Sequence, residues 1–311
     1  MSQKGMSQNF DPLLRELIPA FAGDFVRLLL PQHLVRLDLE ALEFRREEYF
    51  LPSPRGGPPR RPDLVGRVPI LGGGEALLHV EIENRFRSAR IPGIYEYYQL
   101  LRLSSGLPVH TLVIYCHGGE AGVRRQAFQE ISLDEVVAEF RYRSLGLSRM
   151  PAEQYLERSE PLAWALAALN KPGRQGRAAL RVRCLERITE APELTEDQRF
   201  RLFNFVATTI ESDKNLVDEY DEYLQRANRE VQQNMMTWAD RIKEEGRLEG
   251  RTEGRVEGMQ EMVLDVLEQR FSRVPEKVKK TVKGIESAPR LHEIVRQAIA
   301  AESLADMGLS S

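Results

Sequence analysis

Residues 61–84 read RPDLVGRVPILGGGEALLHVEIEN, and this stretch decides the fold of the N-terminal half of the chain. Two runs rich in aliphatic and β-branched residues flank a glycine-rich connection from Ile70 to Gly74, a pattern that predicts an antiparallel hairpin. With the fold point at Gly72, residues equally distant from it in sequence face each other across the two strands. This register places Asp63 directly opposite Glu81.

Alternate side chains of a strand point to opposite faces of the sheet, so each face of the hairpin can be predicted. One face is apolar and predicts a core contact: Leu64, Gly66, Val68, Leu78, Val80 and Ile82. The other face carries Val65 and the polar residues Asp63, His79, Glu81 and Glu83. Directly opposed Cβ atoms lie about 5 Å apart, and like charges placed there destabilise the pair unless something compensates them.

The pattern leaves two interpretations of the acids open. Mg2+ prefers oxygen ligands and is usually held by one or two carboxylates together with water and substrate phosphates, so Asp63 and Glu81 are candidate metal ligands. Alternatively, this face is solvated and its acids pair with arginines, as Arg61 opposite Glu83 would do. His79, on the same face, is a candidate base or metal ligand, or simply a packing residue.

Four blocks of sequence then carry a family resemblance: FDPLLRELIPAF at 10–21, RPDLV at 61–65, LLHVEIEN at 77–84 and IYEYYQLL at 94–101. In this order they resemble the Rpn-type putative transposase family. Pro62 and Asp63, followed by Glu81, Ile82 and Glu83, are similar to the PD-(D/E)XK nuclease pattern. The resemblance implies an α/β fold with a restriction-endonuclease-like core, in which helices flank a mixed sheet.

The same resemblance implies a Mg2+-dependent DNA endonuclease that promotes recombination. It assigns Asp63 and Glu81 to the metal, with Glu16 as a further acid, and it puts Glu83 at the position of the motif lysine. A glutamate there can accept a proton from water but supplies no positive charge to the transition state, so catalysis with Glu83 relies more on the metal. The alternative is a nuclease-fold protein without catalysis that acts as a binding or regulatory module.

Composition gives no global signature of nucleic-acid binding, because the formal net charge of the 311 residues is −3. Between residues 55 and 90, however, seven arginines stand against four acids. A local basic cluster beside a metal site can hold phosphates, and the candidate DNA contacts are Arg61, Arg85, Arg87 and Arg90. A solvated basic loop is the alternative for each of them.

The cysteines and the apolar runs of the chain bear on its compartment. The two cysteines, Cys116 and Cys184, have neither disulfide-framework nor zinc-site spacing, which favours a reducing compartment. The sequence has no signal-peptide pattern and no apolar run long enough to cross a bilayer. It therefore predicts a cytoplasmic protein without membrane contact.

The chain divides by composition into four regions. Residues 1–145 are predicted to form the nuclease-like domain, in which Pro19 kinks or divides the first helix, 94–101 form a helix and 109–116 a buried strand. Residues 146–243 are a helical region, 244–259 a Gly-Arg-Glu repeat linker and 260–311 a small helical domain. The last of these resembles an uncharacterised domain often attached to transposase-like proteins.

The repeat itself, GRLEGRTEGRVEGM, permits two structures. Each glycine costs about 1 kcal/mol in a helix relative to alanine, and the glutamates repel each other at four-residue spacing. The segment is therefore either a flexible tether or a helix stabilised by association. The second alternative predicts a homo-oligomer formed through the helical C-terminal half.

Overall fold

A computed structural model of the chain describes residues 10–44, 62–211, 217–227, 229–271, 274–285, 287–301 and 304. The chain separates into two compact units, Met1–Met236 and Thr237–Ser311. The first unit is an α/β structure around one mixed, open sheet. The second unit is helical.

The sheet of the first unit has six strands in the order β1-β2-β3-β4-β6-β5. Neighbours pair antiparallel except for β3 with β4 and β4 with β6, which are parallel. The strands are β1 Glu43–Phe44, β2 Leu64–Pro69, β3 Glu75–Arg85, β4 Val109–His117, β5 Gly122–Ser132 and β6 Glu135–Gly146.

Helices precede, connect and follow the strands. The first unit contains α1 Asp11–Ala20, α2 Ala22–Leu29, α3 Ile91–Ser105, α4 Ala152–Leu156, α5 Pro161–Ala167, α6 Gly176–Thr189, α7 Glu196–Glu211 and α8 Val217–Arg226. Short 3-10 segments lie at Pro31–Arg36, Ser88–Arg90 and Leu147–Arg149. The division between α1 and α2 two residues after Pro19 confirms the prediction of two shorter helices.

The hairpin has the predicted register. Leu64 pairs with Val80 and Val65 with His79, so Asp63, immediately before β2, is in line with Glu81. The chain then passes through α3 to β4, which lies parallel to β3, and this confirms the predicted crossover and buried strand.

Both faces of the hairpin are covered, so the acidic face is not solvated, although Asp63 and Glu83 do pair with arginines, Arg15 and Arg90, as the alternative interpretation expected in kind. Val65 and Leu77 pack with Leu101 of α3 on the face that also carries His79 and Glu81. His79 is completely buried and Glu81 is 3% exposed. A helix that supplies the parallel crossover must lie across one face of the sheet, and here that face holds the polar residues.

The strands β5 and β6 form a long antiparallel ribbon at one edge of the sheet. Only Arg143 to Gly146 of β6 pair with β4, so most of the ribbon extends past its neighbour. The two turn residues, Leu133 and Asp134, both have positive φ angles, of 52° and 62°. This conformation is required by a two-residue type I′ connection and is unusual for leucine.

The helices after the sheet belong to the same compact unit. The Leu162 N–H of α5 donates to Asp24 Oδ2 of α2 over 3.2 Å, and the rings of Phe10 and Phe205 lie 6.2 Å apart. Thr195 and Gln198 exchange the hydrogen bonds of a capping box at the start of α7.

A long helix, α9 Arg229–Phe271, contains the glycine repeat, so of the two alternatives for the repeat the helix is the one observed. In the second unit the end of α9 packs with α10 Glu276–Lys283 and α11 Ala288–Ala300. Its core contains Val263, Leu267, Val278, Val282, Leu291 and Ile294. None of the helices in the described part of the chain is both long and apolar enough to span a bilayer.

Candidate active site

Asp63 and Glu81, the two acids singled out from the sequence, are brought together by the hairpin. Asp63 Oδ2 accepts a hydrogen bond of 2.7 Å from the backbone N–H of Ile82, which holds the carboxylate against β3 beside Glu81. The Asp63 side chain is 12% exposed. The pair therefore opens to solvent on the Asp63 side while Glu81 remains buried.

The two carboxylates affect each other strongly. Burial, followed by the negative charge of Glu81, raises the pKa of Asp63 to about 8. The Ile82 hydrogen bond and the charge of Arg15 act in the opposite direction but are outweighed. Two adjacent buried acids cannot both remain charged without compensation, so at neutral pH this site takes up either a proton or a cation.

Part of the compensation comes from helix α1. Arg15 Nη2 lies 2.5 Å from Asp63 Oδ1, and the same guanidinium pairs with Asp11. Glu16, expected to be a further acid at this site, has an exposed side chain and makes no hydrogen bond or ion pair to either acid of the described site. Arg15, the residue before Glu16 in α1, places a cation at the acid pair instead.

His79 fixes the orientation of Glu81. Its Nε2 lies 2.8 Å from Glu81 Oε1, and its Nδ1 lies 3.2 Å from Thr111 Oγ1 on the neighbouring strand β4. With Glu81 as acceptor, Nε2 carries the proton and Nδ1 accepts from the Thr111 hydroxyl, an assignment made from the hydrogen-bond network. His79 therefore acts on Glu81, and its complete burial separates it from any substrate.

Glu83 lies two residues further along the same face and pairs with Arg90. The distance from Arg90 Nε to Glu83 Oε1 is 2.7 Å, and this hydrogen bond and the charge of Glu81 raise the pKa of Arg90. Arg85 and Arg87 are exposed at the end of β3 and just after it. Arg61, the fourth arginine expected to contact DNA, lies outside the described residues.

The donor set of the site suits some metal ions and not others. In the part of the chain that the structure describes, no three side chains of His, Cys, Asp or Glu converge as ligands. Two carboxylates fit an ion such as Mg2+, which keeps most of its water and takes few protein ligands. The arrangement does not fit zinc, which demands three or four protein ligands.

No family model, curated protein or solved structure matches this chain. Its function is therefore inferred from geometry: a partly buried carboxylate pair, Asp63 and Glu81, between the guanidinium groups of Arg15 and Arg90. The sequence did not predict that either arginine would lie at the acid pair. Arg15 was not singled out, and Arg90 was expected only to contact DNA. The signal for Arg15 was its four-residue spacing from Asp11 on the first helix.

Proposed function

We propose that the chain is a Mg2+-dependent DNA endonuclease that hydrolyses phosphodiester bonds, with a restriction-endonuclease-like arrangement of its sheet. The observation that carries the proposal is the Asp63–Glu81 pair, in which burial and mutual repulsion raise the pKa of Asp63 to about 8. A site with this property binds a hard cation at neutral pH in exchange for a proton. Bound Mg2+ would supply a water molecule of lowered pKa and neutralise charge on the phosphate.

The side chains around the pair have separate roles in this proposal. Asp63 and Glu81 hold the ion through carboxylate oxygens, and His79 keeps Glu81 in a fixed rotamer. Glu83 uses one oxygen to accept from Arg90, and its other oxygen can take the proton of the attacking water.

Arg90 can replace the positive charge of the lysine that the nuclease pattern has at position 83. A glutamate at this position brings no positive charge, but the guanidinium of Arg90 is bonded directly to it and lies near enough to Glu81 to interact with its charge. This cation can stabilise negative charge on the phosphate as it develops. Arg85 and Arg87, exposed beside it, are suited to the DNA backbone.

The test is cleavage of supercoiled plasmid DNA by the purified chain with Mg2+ or with EDTA. We expect nicked or linear product only with Mg2+, and none from Asp63→Ala or Glu81→Ala purified in the same way. Arg124→Gln, an exposed arginine on β5 outside the acid site, is the matched control and should cleave like the wild type. Equal cleavage by wild type and both acid variants would reject the assignment.

A second candidate function follows from Arg15. The Arg15 guanidinium bridges Asp11 and Asp63, so the protein itself supplies a cation to the acid pair. In this second proposal the chain has a nuclease fold, needs no metal at the acids and acts as a binding module without catalysis.

Thermal unfolding separates the two functions, since a ligand that binds only the folded state stabilises it in a dose-dependent way. The nuclease is expected to show a melting temperature that rises steadily with Mg2+ at millimolar concentrations, and Asp63→Ala to show no such rise. An unchanged melting temperature in the wild type would favour the binding module.

A further inference from the structure

A basic cleft lies where the β5–β6 ribbon extends past the start of β4. Its cavity has a volume of about 470 Å3. His110 of β4, Arg125 of β5, and Arg141 and Arg143 of β6 line it. His33, of the 3-10 segment Pro31–Arg36, contacts two of these residues, with its Nε2 3.1 Å from Arg143 Nη2 and its ring 6.3 Å from the ring of His110.

The cleft is separate from the acid pair because the two use opposite faces of the sheet. His79 pairs with Thr111, which places the acid-pair face on the odd-numbered residues of β4, whereas His110 points to the other face. Arg125 pairs directly with Arg143, so both project with His110. Thr111 lines the cleft and also bonds His79, but Asp63, Glu81, Glu83 and Arg90 do not line it. Ligand binding in the cleft does not depend on the proposed nuclease activity.

The positive groups of the cleft repel one another in the ligand-free protein. Arg125, Arg143 and Arg36 face His33, and together with burial they lower its pKa. Burial, His33 and Arg143 lower the pKa of His110, and Arg125 acts in the same direction on Arg143 itself. Among the described residues neither Arg125 nor Arg143 has a carboxylate partner; Arg141 does, in Glu139 at 2.6 Å.

We propose that this cleft binds a small anion through its phosphate groups, with Arg125 and Arg143 as the principal donors and His33 as a donor once protonated. Arginine presents paired N–H groups that match phosphate oxygens, and a cavity of this size suits a small molecule. The outer part of the ribbon carries Glu130, Asp134, Glu135 and Glu139, which would repel a nucleic-acid backbone running along it.

The anion and protons bind together. Protonation of His33 is opposed in the free protein by burial and by Arg143, Arg36 and Arg125, and the ring of His110 lies 6.3 Å away. A bound phosphate reverses the sign of the local field. Affinity should therefore rise as the pH falls from weakly alkaline to weakly acidic. In His33→Gln the increase in affinity that comes from protonation of His33 should be lost. Protonation of the ligand affects wild type and variant equally, so the difference between them reports His33 alone.

Calorimetric titration with inorganic pyrophosphate and with adenosine diphosphate, at constant ionic strength, tests the proposal. Arg125→Gln and Arg143→Gln should each weaken binding about tenfold to a hundredfold, the range for a hydrogen bond to a charged group. Arg124→Gln is the matched control, because the adjacent Arg124 projects from the opposite face of β5. Similar binding of the two ligands identifies phosphate alone as the determinant, and tighter binding of adenosine diphosphate identifies a nucleotide.

The melting temperature of the ligand-free Arg125→Gln variant shows whether Arg125 serves ligand binding or the stability of the fold. Removing one of several repelling cations should leave the melting temperature of Arg125→Gln equal to or above that of wild type, and Arg125 is exposed enough for the variant to fold. A lowered melting temperature with undiminished pyrophosphate binding would overturn the proposal. So would the absence of binding by wild type at millimolar ligand, or tighter binding of a short DNA duplex through the same two arginines.

Discussion

Asp63→Asn is expected to raise the free energy of unfolding by on the order of 3 to 5 kcal/mol at about pH 9 in metal-free buffer. The same substitution should lower Mg2+-dependent cleavage of DNA by at least about a hundredfold, because it removes a charged ligand of the proposed ion. A variant that is more stable and less active than wild type is the expected result for a residue kept for function at the expense of stability.

The stability effect follows from the pKa of Asp63, which rises from 3.8 to about 8 on folding. Below the ordinary value the carboxyl is protonated in both states and there is no penalty. Between the two values the folded protein retains a proton that the unfolded chain has released, so stability falls as the pH rises through this window. The full loss, on the order of 5 kcal/mol, is present above about pH 8, and asparagine avoids it while losing the Arg15 ion pair.

Urea unfolding of wild type and variant across this pH range, with EDTA or with Mg2+, measures the effect. Asp11→Asn is the matched control, since it removes the other carboxylate bound to Arg15 and should keep most of the pH dependence, because burial and Glu81 raise the pKa of Asp63 more than Asp11 does. Mg2+ should reduce the slope in wild type and leave Asp63→Asn unchanged. A metal-free stability that is flat between weakly acidic and alkaline pH in wild type would contradict the assignment of the raised pKa.

The hairpin and its register could be predicted because alternation and a glycine turn are local signals. Alternate residues of a strand lie on the same face, so the register fixes which residues share a face. The observed pairing of Val65 with His79 is the predicted one. What local signals do not contain is the element that covers a face. Whether the acidic face is solvated or covered was therefore open until α3 was found on it, with Leu101 packed against Val65 and Leu77.

The ribbon of β5 and β6 was not predicted, and the reason is physical. β5 is mostly exposed and shows no regular alternation of buried and exposed residues. In β6 the buried Phe140 and Tyr142 do alternate with the exposed Glu139 and Arg141, a local signal that the prediction did not use. Its turn uses Leu133 and Asp134 with positive φ where glycine or asparagine is usual. The basic cleft remained hidden for the same reason, because Arg125 and Arg143 meet His33 only once the ribbon is in place.

Arg15 and Thr111 also depend on tertiary structure. Glu16 and Arg15 are adjacent in sequence, and the choice between them depends on how α1 is rotated against the sheet, which a helical pattern gives only approximately. Thr111 reaches His79 because β3 and β4 are adjacent and parallel. The sequence pattern of a single strand does not show which strand lies beside it in the sheet.

His79→Leu is expected to lower the free energy of unfolding by about 3 kcal/mol, the upper end of the cost of leaving a buried acceptor unsatisfied. His79 is completely buried, and its Nε2 is within hydrogen-bonding distance of Glu81 Oε1. The leucine would leave that carboxylate in an apolar environment with a hydrogen bond unsatisfied. Denaturant unfolding at constant pH measures the change.

Two further variants separate this explanation from a simple packing defect. Thr111→Val removes only the second hydrogen bond of the imidazole and should cost about 1 kcal/mol. The double variant His79→Leu with Glu81→Leu replaces both polar partners and should recover most of the loss, since replacing both partners of a buried hydrogen bond by apolar groups can be nearly neutral. If the double variant is as unstable as His79→Leu alone, the imidazole contributes by its shape and not by its bond to Glu81, and its proposed role in orienting that ligand is lost.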